Sequence, residues 1–368
     1  MPQPSRDQVM DALAGVSDPT FDKPMLDVGT LGEVTLEDGA VSLRAKLSSP
    51  ADSVREAVKT RVEEALAPLG LQSVSIDFDV HVPTREVMGD DPVPGVKNLV
   101  LVMSGKGGVG KSTVSVNLAL SLSRMGTRVG IMDADIYGPS IPTMMGIAGQ
   151  PTSEDGKNIK PLERFGVKLM SIGFLMEDPK AAVVWRGPML HGALNQFLTD
   201  VAWGDLDYLI VDLPPGTGDV ALTLAQRLKV TGVVIVTTPQ EVALQDVYKG
   251  VSMCKKLNLP VLGVVENMSW FVDSAGVKQE LFGAGGGQLV ADFAEAPLLG
   301  QIPLDPGVRE SGDQGTPAVK GAPELEAAKA FAAVAERLAE RIALAHFIRG
   351  GGEQAPGEAP RKRLRILR

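Results

Sequence analysis

Residues 105–112 read Gly105-Lys106-Gly107-Gly108-Val109-Gly110-Lys111-Ser112. A glycine, a short spacer and then Gly-Lys-Ser is the spacing of a phosphate-binding P-loop. The flanks agree with that reading. Leu99–Met103 is a short apolar run of the kind that forms a buried strand. After the loop, Val114, Leu118 and Leu122 recur at helical spacing. Between a strand and a helix, glycines let backbone N–H groups turn inward around phosphate oxygens. The positive end of the helix adds to the attraction. Gly105 to Thr113 are therefore the expected nucleotide contacts, with Lys111 neutralising the β- and γ-phosphates of ATP and Ser112 binding Mg²⁺.

Working outward, the same alternation continues. Val129–Met132, Tyr208–Val211, Val233–Val236 and Val261–Val265 are β-branched runs separated by longer helical patterns. Alternating strands and helices imply an α/β fold, a doubly wound and mostly parallel sheet. Asp133 and Asp135 follow the second run, and Asp212 ends the third as a Walker B acid does. Ligands of open α/β sheets gather at the carboxyl ends of strands. Any one of these acids reads equally well as a helix cap or turn residue; three beside a P-loop point to metal and water handling. Lys106 is a second lysine early in the loop, where it would crowd its own subunit's cationic site. A lysine there can instead reach a nucleotide held by a facing partner, as an arginine finger does in trans.

The rest of the chain bounds the reading. Residues 1–82 form a small α/β domain on pattern alone, with strands at Val34–Leu36 and Val41–Leu47 joined by the hairpin signal Asp38-Gly39. Ser49 is the expected N-cap of the next helix, with Pro50 at its first position and Val54, Val58, Val62, Leu66 and Leu69 facing a core. Val74, Ile76, Phe78 and Val80 alternate as a last strand. Residues 83–96, with three prolines, read as an exposed linker, and 97–348 as the ATPase domain closed by a helix near Pro323–Phe347. Residues 349–368 read as a disordered basic tail. The 368 residues carry 36 Lys and Arg against 45 Asp and Glu, a net charge of −9 that argues against nucleic acid as the main partner. Cys254 is the only cysteine, so no intrachain disulfide forms, and His81, His191 and His346 match no metal-ligand spacing. The chain's start lacks the apolar region of a secretory signal, and no apolar run is long enough to span a bilayer, so the cytoplasm is expected and a membrane is not.

Taken with their context, these motifs resemble one family closely. Lys106-Gly-Gly-Val-Gly-Lys111-Ser-Thr is similar to the deviant Walker A of the nitrogenase-iron-protein, MinD and ParA class. Asp133-Ala-Asp135-Ile-Tyr-Gly138-Pro-Ser140, Trp185-Arg-Gly-Pro-Met-Leu190, Asp212-Leu-Pro-Pro-Gly-Thr-Gly-Asp219, Thr238-Pro-Gln-Glu-Val-Ala-Leu244 and Glu266-Asn-Met-Ser-Trp270 look like the Mrp/ApbC family of iron–sulfur cluster carrier ATPases. The leading domain resembles one shared by iron–sulfur assembly factors. The resemblance implies a homodimer holding two nucleotides at its interface, serving apo iron–sulfur proteins or assembly factors. By that resemblance Lys106 reaches the partner's phosphates, Asp135 orients the attacking water, Asp133 and Asp212 support Mg²⁺ and its waters, and Asn267 lies near the adenine.

One departure bears on the cargo. Most members carry Cys-x-x-Cys between Glu-Asn-Met-Ser-Tyr/Trp and the glycine run, and two such pairs bridge one cluster. Here Trp270 to Gly287 contains no cysteine, and Asp273 stands about where the first would be. Cys254 sits with Val247, Val251 and Leu257 in a helical pattern and is expected in the core. A four-cysteine bridged cluster is therefore impossible for this dimer. Two other readings use the same motifs: a MinD/ParA-like positioning ATPase touching membrane or nucleoid through Arg361, Lys362, Leu364, Arg365, Ile366, Leu367 and Arg368, and an adapter whose nucleotide is only structural.

Overall fold

The structure is a computed structural model that describes residues 4–87, 89–135, 138–153, 156, 158–175, 187–216, 220, 222–224 and 228–350, with side chains 187–191 left out. Ile136, Tyr137, Trp185, Arg186, the side chains of Gly187–Leu190, Thr217–Asp219 and the tail beyond residue 350 lie outside the described residues. The chain divides into two units: the described residues of Met1–His81 with those of Glu340–Arg368, and Val82–Ala339.

The first unit begins with α1 (Arg6–Ala14), whose N-terminus is closed by a reciprocal capping box between Ser5 and Gln8. Strands β1 (Leu31–Glu37) and β2 (Ala40–Leu47) pair antiparallel. Asp38 and Gly39 turn between them with φ of 48° and 78°, the left-handed pair that a two-residue hairpin needs. Helix α2 (Asp52–Leu66) then carries the chain over to β3 (Ser73–Val80), which lies parallel to β2. Val41, Leu43, Ala45 and Leu47 of β2 face the same core as Val54, Val58, Val62 and Leu66 of α2. The helix starts later than Ser49 and Pro50 suggest: Ala51 is its cap. The Ser49 hydroxyl accepts from the Ala51 amide at 3.3 Å. The serine thus closes a local turn ahead of the helix instead of capping it.

The second unit contains an eight-stranded sheet in the order β13-β10-β9-β4-β8-β5-β7-β6. Its strands are β4 (Val96–Ser104), β5 (Val129–Asp133), β6 (Leu162–Arg164), β7 (Val167–Ser171), β8 (Leu206–Asp212), β9 (Gly232–Thr237), β10 (Val261–Glu266) and β13 (Leu298–Gln301). A separate two-residue pair, β11 (Phe271–Val272) with β12 (Lys278–Gln279), follows β10. All neighbours in the large sheet are parallel except β6 with β7. β4, β5, β8 and β9 are almost wholly buried, which is why their sequences read as unbroken apolar runs instead of alternating ones. From central β4, helix α3 (Lys111–Arg124) crosses to β5 on one side, while β9 and β10 extend the sheet on the other. The winding direction reverses at β4, so the loop leaving its carboxyl end sits at the switch point where such sheets bind ligands.

The stretch expected to be an exposed linker is exposed at Thr84, Glu86, Val87, Gly89, Asp90 and Pro94 but is anchored at Arg85, Val93 and Val96. Val93 and Arg85 are each 3% exposed. The Arg85 guanidinium pairs with both oxygens of Asp91 and donates to the Val93 and Val96 carbonyls. Prolines signal a break in regular structure, but they do not forbid an anchor point whose buried cation is paired. The closing helix runs Glu326–Arg349.

Candidate functional site

Strand register builds the acidic floor of the site. Asp133, the last residue of β5, lies level with Asp212 of β8 and with Ser171 of β7. These three side chains therefore end at one height beside β4, which continues to Ser104 before the glycine loop. Asp133 and Asp212 are both fully buried.

The loop is held from below. Val109 is buried, and its carbonyl accepts from Asn267 Nδ2 at 2.8 Å. Gly110 adopts φ +80°, and a Cβ there would lie 2.3 Å from that same Asn267 nitrogen, so only glycine fits. Gly107 and Gly108 remain exposed at the mouth. Helix α3 opens at Lys111, immediately after the loop.

The side chains at that helix start converge on Asp212. Lys111 Nζ lies 2.8 Å from Asp212 Oδ2 and 3.5 Å from Asp135 Oδ2. Ser112 Oγ donates to Asp212 Oδ2 at 2.6 Å, and Ser115 Oγ lies 2.6 Å from Asp212 Oδ1. Asp133 sits behind, accepting from Ser171 Oγ at 2.8 Å and from the Asp135 amide at 3.2 Å. Burial, then the nearby Asp212 charge, push the Asp133 carboxyl up to about 8, against the Ser171 hydroxyl, the Asp135 amide and Lys111. Two carboxylates this close in a buried place do not both ionise easily. Lys111 compensates Asp212, which leaves Asp133 as the acid that keeps its proton at neutral pH.

A cavity of about 290 Å³ opens above this floor, lined by Lys106, Gly107, Gly108, Lys111, Ser112 and Asp135 among others. Asp135 thus faces the cavity, while Asp133 and Asp212 stand behind it. Next to it, about 240 Å³ of groove is bounded by Gly110, Thr113, Asn267, Ile302, Leu304 and Val308 among others. Backbone amides, a lysine and a helix start beside an apolar groove suit a nucleotide, phosphates in the first and base in the second. The donors also fit magnesium. Among the described residues no three His, Cys, Asp or Glu side chains gather to cage a metal. Mg²⁺ needs no such cage, since it binds through one or two protein oxygens, substrate phosphates and water. Ser112, at the cavity wall, is a donor of that kind, and Asp212 stands behind it as the hydrogen-bond acceptor of Ser112.

Of the residues expected from sequence, Lys111, Ser112, Asp133, Asp135 and Asp212 come together, and Asn267 lies between loop and groove. Lys106 lines the same cavity but makes no hydrogen bond or ion pair with those acids; its Nζ lies 3.4 Å from Gln240 Oε1 at the mouth. Ser115, Ser171 and the groove residues from Ile302 to Val308 carried no motif. The one available signal for Ser115 was its place one helical turn after Lys111, on the same face.

Cys254 is fully buried, as its helical spacing implies, with Sγ 3.5 Å from Met103 Sδ. Burial pushes its thiol up to about 11. Asp273 closes its own turn, accepting from the Ala275 and Val277 amides and from Gln279 Nε2. Hydrogen bonding, first from the Val277 amide, holds that carboxyl below the usual range.

Residues 95–339 match the family described as NUBPL iron-transfer P-loop NTPase, and residues 6–78 match that described as iron-sulfur cluster assembly protein. The chain is 43% identical over 350 residues to an iron-sulfur cluster carrier protein of Synechocystis, covering 93% of this chain and 99% of the relative. A protein of the same description from Aquifex aeolicus is 52% identical over 310 residues, 82% of this chain and 84% of the relative. Among solved structures, a nucleotide-binding protein from Archaeoglobus fulgidus in complex with ADP superposes with a TM-score of 0.54 at 39% identity, over 62% of this chain and 92% of that one.

Proposed function

The chain belongs to the NUBPL iron-transfer P-loop NTPase family, and from that membership we propose that it is an ATP-driven carrier that delivers iron–sulfur clusters to apoproteins, working as a homodimer in the cytoplasm. The observation that carries the proposal is the convergence of Lys111 and Ser112 on Asp212 beneath a glycine loop, with Asp135 facing the same cavity. No helix among the described residues is long and apolar enough to cross a membrane.

The chemistry is hydrolysis of the β–γ anhydride of ATP. Water attacks the γ-phosphorus and the bond to the bridging oxygen breaks, so the protein's work is positioning and charge compensation. The loop amides and Lys111 hold the β- and γ-phosphates. A triphosphate there offers Lys111 new anionic partners in competition with Asp212 and Asp135. Asp135, at the cavity wall, accepts a hydrogen bond from the attacking water and aligns it. Ser112 donates its proton to Asp212, which leaves its oxygen lone pairs for the metal. Ser112, supported by Asp212, would hold magnesium, which would supply charge compensation for the phosphates. Lys106 swings from Gln240 to the nucleotide of the facing subunit and offsets charge developing on the leaving phosphate. The apolar groove beside Asn267 takes the base.

The cargo needs ligands from outside this chain. Thiolates are the usual ligands of iron–sulfur clusters. Cys254 is sealed in the core and protonated, and Asp273 is committed to its own turn. We therefore assign the sulfur ligands of any carried cluster to a second molecule, a thiol or a cysteine-bearing protein. Anaerobic reconstitution with iron and sulfide, followed by transfer to an apo-enzyme with and without ATP, tests both halves. Transfer that requires the added thiol source and is faster with ATP is expected. No transfer under any condition would leave the ATPase alone standing.

A further inference from the structure

Ser115 lies on α3 one turn beyond Lys111 and is fully buried. Its hydroxyl has two acceptors in reach, the Lys111 carbonyl at 3.1 Å and Asp212 Oδ1 at 2.6 Å. A serine inside a helix ordinarily turns its proton back to the carbonyl one turn earlier. Here the competing acceptor is a carboxylate with Lys111 Nζ 2.8 Å from its other oxygen, and 2.6 Å is the length of a charge-assisted O–H···O⁻ bond. The single proton therefore goes to Asp212.

That bond divides the work of the carboxylate. Oδ1 is held by Ser115, and Oδ2 receives Ser112 and Lys111. The terminal torsion of an aspartate is broad and weakly determined by itself. Remove the Ser115 proton and Oδ1 is buried without its donor, close to a second carboxyl, Asp133. Its plane is then free to turn, and the Ser112 hydroxyl loses the acceptor that keeps its proton directed inward. We infer that Ser115 is a positioning residue of the ATPase site: by fixing the plane of Asp212 through Oδ1, it holds the Ser112 oxygen in the orientation that receives magnesium. The inference rests on the nucleotide-site reading above and assigns Ser115 no contact with nucleotide or metal.

The test uses the full chain and a fluorescent nonhydrolysable ATP analogue, titrated with Mg²⁺ after binding has been measured in EDTA. Ser115→Ala is expected to raise the Mg²⁺ concentration for half-maximal tightening of analogue binding about tenfold, the lower end of what loss of a supporting hydrogen bond costs a metal site. Its affinity in EDTA is expected to match that of the wild type. Ser115→Thr keeps the hydroxyl and is expected to restore the wild-type titration. If the alanine variant does not fold, Ser115→Cys keeps the volume with a weak donor and is expected to show the same shift. Wild-type and Ala or Cys titrations that superimpose overturn the role of Ser115 while leaving the nucleotide site intact. A wild-type chain that binds no analogue overturns the site and this inference together.

Discussion

Lys111 and Lys106 share one loop but differ in what surrounds them. Lys111 is buried between two acids at the helix start, whereas Lys106 sits at the mouth against Gln240. Lys111→Ala removes the cation beneath the phosphates and is expected to abolish nucleotide binding in an equilibrium titration. Lys106→Ala is expected to bind nucleotide as before and to lose phosphate release by about 10³-fold, the scale of a residue supplied in trans to a phosphoryl transition state. Asp133 supplies a prediction about pH. Its pKa in the fold, about 8, is above the value of about 3.9 that an unfolded aspartate has. Folding therefore takes up a proton between those values, and stability falls as pH rises across that window, with no further contribution below or above it. In EDTA without nucleotide, the wild-type urea midpoint is expected to fall from pH 5 to pH 8, and that of Asp133→Asn to fall less. Parallel curves would show that Asp133 does not carry the proton. Asp133 and Asp212 were legible in the sequence because each ends a buried apolar run, and Asp135 because it follows the first of them by two residues. Ser115 and Ser171 were not, because serine is unremarkable in a helix or at a strand end until a partner is seen across the sheet.

At the scale of elements, the carboxyl end of β10 ties the nucleotide loop to the segment that follows it. Asn267 bonds Val109, while its neighbour Glu266, fully buried, accepts from the Gly287 amide at 2.5 Å and from Gln301 Nε2 at 2.7 Å. Gly287 lies in the first turn of the helix Gly286–Ala294, so a buried carboxylate is set against a helix N-terminus. A Cβ at residue 287 would lie 2.6 Å from the Glu266 Cβ. Gly287→Ala is accordingly expected to cost about 1–3 kcal/mol, read as a lower urea midpoint, because neither the strand nor the helix can retreat freely. Element types were readable from period and turn chemistry: the Asp38-Gly39 hairpin and the strand–loop–helix at residue 105 rest on local rules. What local rules missed is non-local. Ser49 serves a turn of its own, and the segment from residue 83 is pinned at Arg85, which finds Asp91 and two carbonyls, partners that no spacing rule announces.

For the whole molecule, the decisive question is whether one site is built from two chains. If Lys111 serves its own nucleotide and Lys106 serves the facing one, the two lysine variants fail for complementary reasons. A dimer of one Lys106→Ala and one Lys111→Ala chain keeps one complete site: the nucleotide sits in the loop that retains Lys111, and the other chain contributes its Lys106. Random re-association of equal amounts makes about half the dimers mixed, each with one working site of two, so about a quarter of wild-type phosphate release should return on mixing two inactive proteins. The expected signal is a rate that appears on mixing, rises with protein concentration as dimers form, and is absent from either variant alone. A mixture as inactive as its components would mean that Lys106 acts within its own chain, and the loop would then be a self-sufficient site with Gln240 as its neighbour.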